Sequence, residues 1–185
     1  MRTRRNLLCA GSAALIAGVA SPALAGIRSA NIRSLAFANL HTGEKLSVDY
    51  CVGGQYVPEA LTSINFILRD YRNGEVHVID PKLLDLLSLL HRQMESTTSF
   101  SVISGYRSPA TNAMLHERSA GVAAHSLHMK GMAIDIRLAD RALPDLHKTA
   151  VGLRAGGVGY YPTLDFVHVD VGRVRYWGAA DHAAS

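Results

Sequence analysis

Met132-Ala133-Ile134-Asp135-Ile136-Arg137-Leu138 and Phe166-Val167-His168-Val169-Asp170-Val171 are the two stretches on which the fold turns. Each alternates in the way a β-strand requires, because successive side chains of a strand point to opposite faces. In the first, Met132, Ile134, Ile136 and Leu138 share one face and Asp135 takes the other. In the second the valines face one way, and His168 and Asp170 the other. A carboxylate amid an apolar strand is costly unless it is paired, hydrogen-bonded or bound to a cation.

If the two strands are neighbours in one sheet, Asp135 and His168 stand side by side. His128 then arrives from the loop Ser126-Leu127-His128-Met129-Lys130-Gly131. Two histidines and a carboxylate around an open fourth position are what a catalytic Zn²⁺ requires, since the vacancy holds the attacking water. Taken singly, the residues have plainer explanations: Asp135 as the salt-bridge partner of Arg137, and His168 as a hydrogen-bonded core residue.

Ile32–Leu40 and Lys45–Tyr50 flank the short loop His41-Thr42-Gly43-Glu44 and predict a β-hairpin. Pro58–Tyr71 carries apolar residues at helical spacing. A second helix starts at Pro81 behind Asp80 as N-cap and runs to Met94 with a leucine-rich stripe. Ser99–Ile103 reads as a strand, Pro109–Arg118 as a helix, and Pro144–Ala155 as a helix followed by a Gly-rich connection through Gly156, Gly157 and Gly159. This order of elements predicts a single α+β domain whose sheet is mainly antiparallel and flanked by helices.

The first 25 residues read as an export signal and residues 26–185 as the domain. Arg2, Arg4 and Arg5 precede an apolar run from Leu7 to Ala20, and Ala23-Leu24-Ala25 supplies a cleavage pattern. The Arg4-Arg5 pair resembles a twin-arginine signal, which implies a periplasmic destination. No later stretch reaches the ~20 apolar residues of a membrane helix, so no stable membrane span is expected. Of nineteen Lys and Arg, three lie in the leader; the remaining sixteen nearly balance fifteen Asp and Glu. That balance, with no basic cluster, excludes nucleic acid as an expected partner. Cys9 departs with the leader, leaving Cys51 as a small buried apolar residue.

Ser126-x-His128-x-x-Gly131-x-Ala133-x-Asp135 followed by Asp165-x-x-His168 resembles the signature of zinc D-alanyl-D-alanine carboxypeptidases and murein endopeptidases. Ser104-Gly105-Tyr106-Arg107-Ser108 and Gly157-Val158-Gly159-Tyr160-Tyr161-Pro162 bring it nearest to the periplasmic murein endopeptidases. The resemblance implies the α+β fold shared with the hedgehog signalling domain, and a zinc peptidase acting on peptide cross-links of peptidoglycan. It implies His128, Asp135 and His168 as zinc ligands, Asp165 as general base, and Arg107 as the residue that binds substrate or the developing oxyanion. Ser126, Tyr160 and Trp177 are the further expected substrate contacts. Many carboxypeptidases of the family have Glu where this chain has Asp165. Because Asp165 lies three residues before His168, a turn at Pro162-Thr163-Leu164 must bring it round to the metal face. A D,D-carboxypeptidase that trims stem peptides and a non-catalytic, zinc-dependent wall-binding module are the alternatives.

Overall fold

The computed structural model describes residues 32–119 and 122–178. The leader, Cys9 and His182 lie outside the described residues. One eight-stranded sheet runs through the domain in the order β3-β2-β1-β4-β5-β7-β6-β8. Its strands are β1 (Ile32–Asn39), β2 (Lys45–Val52), β3 (Gln55–Tyr56), β4 (Phe100–Ser104), β5 (Ala133–Leu138), β6 (Gly157–Tyr161), β7 (Phe166–Asp170) and β8 (Arg175–Gly178). Among the described residues four α-helices accompany them: α1 (Pro58–Ile67), α2 (Pro81–Gln93), α3 (Pro109–Arg118) and α4 (Leu143–Leu153).

The expected hairpin is present, with β1 and β2 antiparallel about the 40–44 turn. The sheet is mixed, however, and not mainly antiparallel as the element order had suggested. β1 runs parallel to β4, and β6 parallel to β8. The first parallel pair arises because α1 and α2 intervene between hairpin and β4, giving the chain length for a crossover. The second arises because the chain reverses from β6 into β7 and again into β8, which pairs with the other edge of β6.

Helices α1, α2 and α4 lie against the sheet through β2, β1, β5, β6 and β7, and enclose the core between themselves and one sheet face. Ile134, Ile136 and Leu138 of β5 and Val167 and Val169 of β7 point into that core with Leu83, Leu84, Leu87 and Leu146. Asp80 caps α2 as expected, its carboxylate accepting from the Lys82 N–H at 2.9 Å. Helix α1 stops at Ile67, short of the predicted Tyr71. The Leu68 carbonyl instead accepts from the Tyr106 N–H, tying α1 to the segment that carries Arg107. Cys51 is fully buried, as its reading as a core residue required. Among the described residues, no helix is long and apolar enough to cross a membrane.

Candidate active site

Pleating leaves Asp135 on β5 and His168 on β7 facing away from the core. The two are direct partners in the antiparallel β5–β7 ladder. His128 sits in a short 3-10 turn, Leu127–Lys130, capped by Ser126, whose hydroxyl accepts from the His128 N–H at 3.3 Å. Gly131 ends the turn at φ 63°, and a Cβ there would lie 2.1 Å from the Val78 carbonyl, so glycine satisfies both the left-handed backbone and the close approach.

These elements bring three buried side chains together. His128 Nε2 is 3.2 Å from His168 Nδ1 and 3.3 Å from Asp135 Oδ1. His168 Nδ1 is 2.9 Å from the same carboxylate oxygen. The outer nitrogens of both rings are committed elsewhere. His128 Nδ1–H donates to the Gly105 carbonyl at 2.7 Å, and His168 Nε2–H to Asp170 Oδ2 at 3.1 Å. In its neutral form each imidazole would therefore turn a lone pair inward. Two imidazole lone pairs and a carboxylate oxygen this close repel unless a proton or a cation lies among them. Outer-shell acceptors that fix the tautomer in this way are the usual support of metal-binding histidines.

The electrostatics follow from the same contacts. Burial alone would raise the Asp135 carboxyl, yet His128 and His168 hold it well below the usual carboxylate range. Burial would likewise depress His168, but Asp135 and Asp170 outweigh it and push the imidazole up to about 8. Asp170 is itself fully buried. Against its desolvation stand His168, a two-pronged contact from Arg175, and the N–H groups of Gly157 and Gly172, which keep it well below the ordinary range. With every oxygen so engaged, Asp170 holds His168 in orientation.

A cavity of about 330 Å³ opens over the three residues. Arg107 lines it with a side chain only 11% exposed, its Nη2 3.9 Å from Asp135 Oδ2. Burial pulls the Arg107 pKa below that of a free guanidinium, although Asp135 opposes this. Asn112 of α3 receives Arg107 Nη1–H at 3.3 Å and donates to the Ala123 and Ala124 carbonyls, tying the arginine to the loop that leads into Ser126. Ser126 and Trp177 also line the cavity. The Trp177 indole N–H donates to the Tyr161 hydroxyl at 2.8 Å, and its ring centroid is 5.1 Å from that of His168. The strand below is bare at Gly159, where a Cβ would lie 2.7 Å from the indole.

Two expected site residues are placed elsewhere. Tyr160 pairs with Val167, so its side chain enters the core and stacks on His147; the next residue, Tyr161, lines the cavity instead. Asp165 ends the predicted turn, here a 3-10 turn Pro162–Leu164, with φ 55°. That left-handed residue sends an exposed carboxylate to Arg137, and Asp165 is absent from the lining above the His128, Asp135 and His168 trio. Arg137 thus pairs with Asp165 and not with Asp135. Tyr161, Arg175, Asn112 and Gly159 were not among the expected site residues; the tyrosine pair was visible, but which member faced the cavity depended on a strand that was not.

The chain matches, over residues 27–177, the family model described as peptidoglycan L,D-endopeptidase MepK. It is 43% identical over 175 residues to the peptidoglycan L,D-endopeptidase MepK of Escherichia coli strain K12, covering 94% of this chain and 96% of that protein. The Shigella flexneri protein of the same name gives the same figures. The probable peptidoglycan L,D-endopeptidase MepK of Haemophilus influenzae is 39% identical over 178 residues, covering 95% and 96%.

Proposed function

We propose, from the premise that this chain belongs to the family described as peptidoglycan L,D-endopeptidase MepK, that it is a zinc-dependent murein endopeptidase which hydrolyses L,D bonds in the peptide cross-links of peptidoglycan. One observation carries the metal part: two imidazoles with their outer N–H groups committed, and one carboxylate, all turned on a single point within 3.3 Å of one another. Zinc bonds of about 2.0–2.2 Å in a tetrahedron put neighbouring donor atoms about 3.3–3.6 Å apart, so His128, Asp135 and His168 fit that ion with small adjustment.

Bound there, zinc would acidify a water molecule and polarise the scissile carbonyl. The chain's own residues bind and orient the substrate and stabilise developing charge. Arg107 offers a buried guanidinium fork to the carbonyl oxygen as negative charge builds on it, a preorganised donor in a water-poor site. Asp170 and the Gly105 carbonyl keep the two imidazoles from rotating. Trp177, Tyr161 and Phe166 form an aromatic wall against which the peptide backbone lies.

Digestion of purified cross-linked muropeptides, read by mass spectrometry, tests the reading. The expected result is release of monomers at the L,D bond, abolished by a chelator and restored by Zn²⁺. Release of terminal D-alanine alone would identify a D,D-carboxypeptidase, and binding without cleavage the wall-binding alternative. The proposal includes export to the periplasm on the segment 1–25. Fractionation of cells should find the protein there, beginning at Gly26; a cytoplasmic protein that retains residues 1–25 would overturn this part.

A further inference from the structure

A second cavity, of about 360 Å³, lies on the same sheet face as the trio and is lined by Ser101, Arg137, Leu138, Ala139, Arg141, Leu143 and Asp165. Its position follows from the register. Arg137 is two residues after Asp135 on β5, hence on the same face, and pairs across the ladder with Ser101 of β4. Two residues of strand cover about 6.7 Å. The segment Leu164-Asp165-Phe166 forms the wall between the cavities: Leu164 and Phe166 line the first, and Asp165 the second. The left-handed backbone at Asp165 produces that division.

Within the second cavity Arg137 and Asp165 form an ion pair whose side chains are 39% and 58% exposed. A pair so exposed contributes at most about 1 kcal/mol, so a ligand that offers each charge a better partner separates the two at little cost. Arg141 is already occupied. Its guanidinium donates to the Met94 and Glu95 carbonyls and to Asp140, and it serves as wall. The available groups are therefore one guanidinium fork, suited to a carboxylate, and one carboxylate, suited to an ammonium group.

We infer that this cavity is a specificity subsite for a zwitterion, a free ammonium and carboxylate on one carbon, at the tip of the side chain of the residue whose carbonyl is attacked, with Arg137 taking its carboxylate and Asp165 its ammonium. The inference rests on the proposed hydrolysis of L,D bonds. An L-centre that donates the carbonyl, and whose side chain ends in a second, uncoupled amino-acid centre, is what diaminopimelate presents. The side chain passes over the Leu164–Phe166 ridge, and an alkyl chain a few carbons long with its charged head matches the two-residue span. D-Alanine at the same position has a methyl group and leaves the subsite empty.

The test uses the full zinc-loaded protein and two synthetic L,D-linked peptides that differ only at this residue, diaminopimelate against norleucine. The wild type should favour diaminopimelate in kcat/KM by about 10- to 100-fold, the worth of charge-assisted hydrogen bonds. In Arg137→Gln and Asp165→Asn that ratio should fall toward one. If Asp165 were instead the general base, Asp165→Asn would slow both peptides equally and leave the ratio intact, which would overturn the subsite. A binding arm separates this inference from the hydrolytic reading. Capped diaminopimelate, with one end acetylated and amidated, should bind the wild type at least 10-fold more tightly than capped norleucine, and Arg137→Gln should abolish the difference. If neither peptide were cleaved but the binding preference held, the hydrolytic reading would fail and the subsite would stand. No preference in either arm would sink the subsite.

Discussion

His168→Ala is expected to leave a folded protein that no longer retains zinc through dialysis and no longer cleaves cross-linked muropeptides. The imidazole supplies one of three inward-facing donor atoms, 2.9 Å from Asp135 and 3.2 Å from His128. Loss of an outer-shell partner alone costs 10- to 100-fold in metal affinity, so loss of a ligand should cost at least about 100-fold. The fold should survive. Asp170 keeps Arg175 and the two glycine N–H groups as donors, and His168 points away from the core. Elemental analysis of dialysed protein, with circular dichroism as the folding control, decides the matter. Stoichiometric zinc at unchanged affinity in His168→Ala would remove this residue from the ligand set.

Arg107→Gln should lower kcat by about 10²–10³ at full zinc occupancy, the usual worth of a donor aimed at a developing oxyanion. The expectation comes from how the side chain is held. It is nearly buried, and Asn112 fixes one end. Its Nε lacks a hydrogen-bond partner among the described residues, a cost a protein bears at a functional position more readily than elsewhere. Glutamine preserves much of the length and a donor for Asn112 but carries no charge. Stopped assays on a defined muropeptide, with zinc content measured on the same sample, provide the check. A kcat within twofold of wild type would show that the oxyanion is stabilised by another group.

The parts of the site that lie on regular strands were legible before the structure. Period-two alternation put Asp135 and His168 on one side of their strands, and the β5–β7 register makes them partners. Helix α2 was readable from Asp80-Pro81, where a capping oxygen precedes a proline that suits the first turn. Helix α3 begins at the expected Pro109, behind a Ser108 cap that the structure adds. What resisted reading was glycine-rich or long-range. Gly157-Val158-Gly159 resembles a connection because glycine weakens strands, yet here it forms β6, since the Trp177 indole needs the space a Cβ would take. With β6 unrecognised, the facing of Tyr160 and Tyr161 could not be assigned. The parallel pairings depend on which edges two distant segments join, information that local pattern does not hold. Asp165 was placed by analogy with family spacing, and a single left-handed residue turned its carboxylate to Arg137.

The direct opposition of Asp135 and His168 also bears on how faithfully the chain assembles. Sliding β5 past β7 by one residue would carry Asp135 into the apolar layer and bring Ile134 or Ile136 opposite His168. A misassembled molecule of that kind keeps its strands and much of its collapse but has no carboxylate to complete the donor set. With zinc bound as proposed, metal capture would favour the one pairing that can hold the ion and draw the population toward correct strand alignment. On the proposed zinc site, the fraction of refolded chains that retain zinc should then equal the fraction correctly aligned, which a spectroscopic count of β-structure would not distinguish.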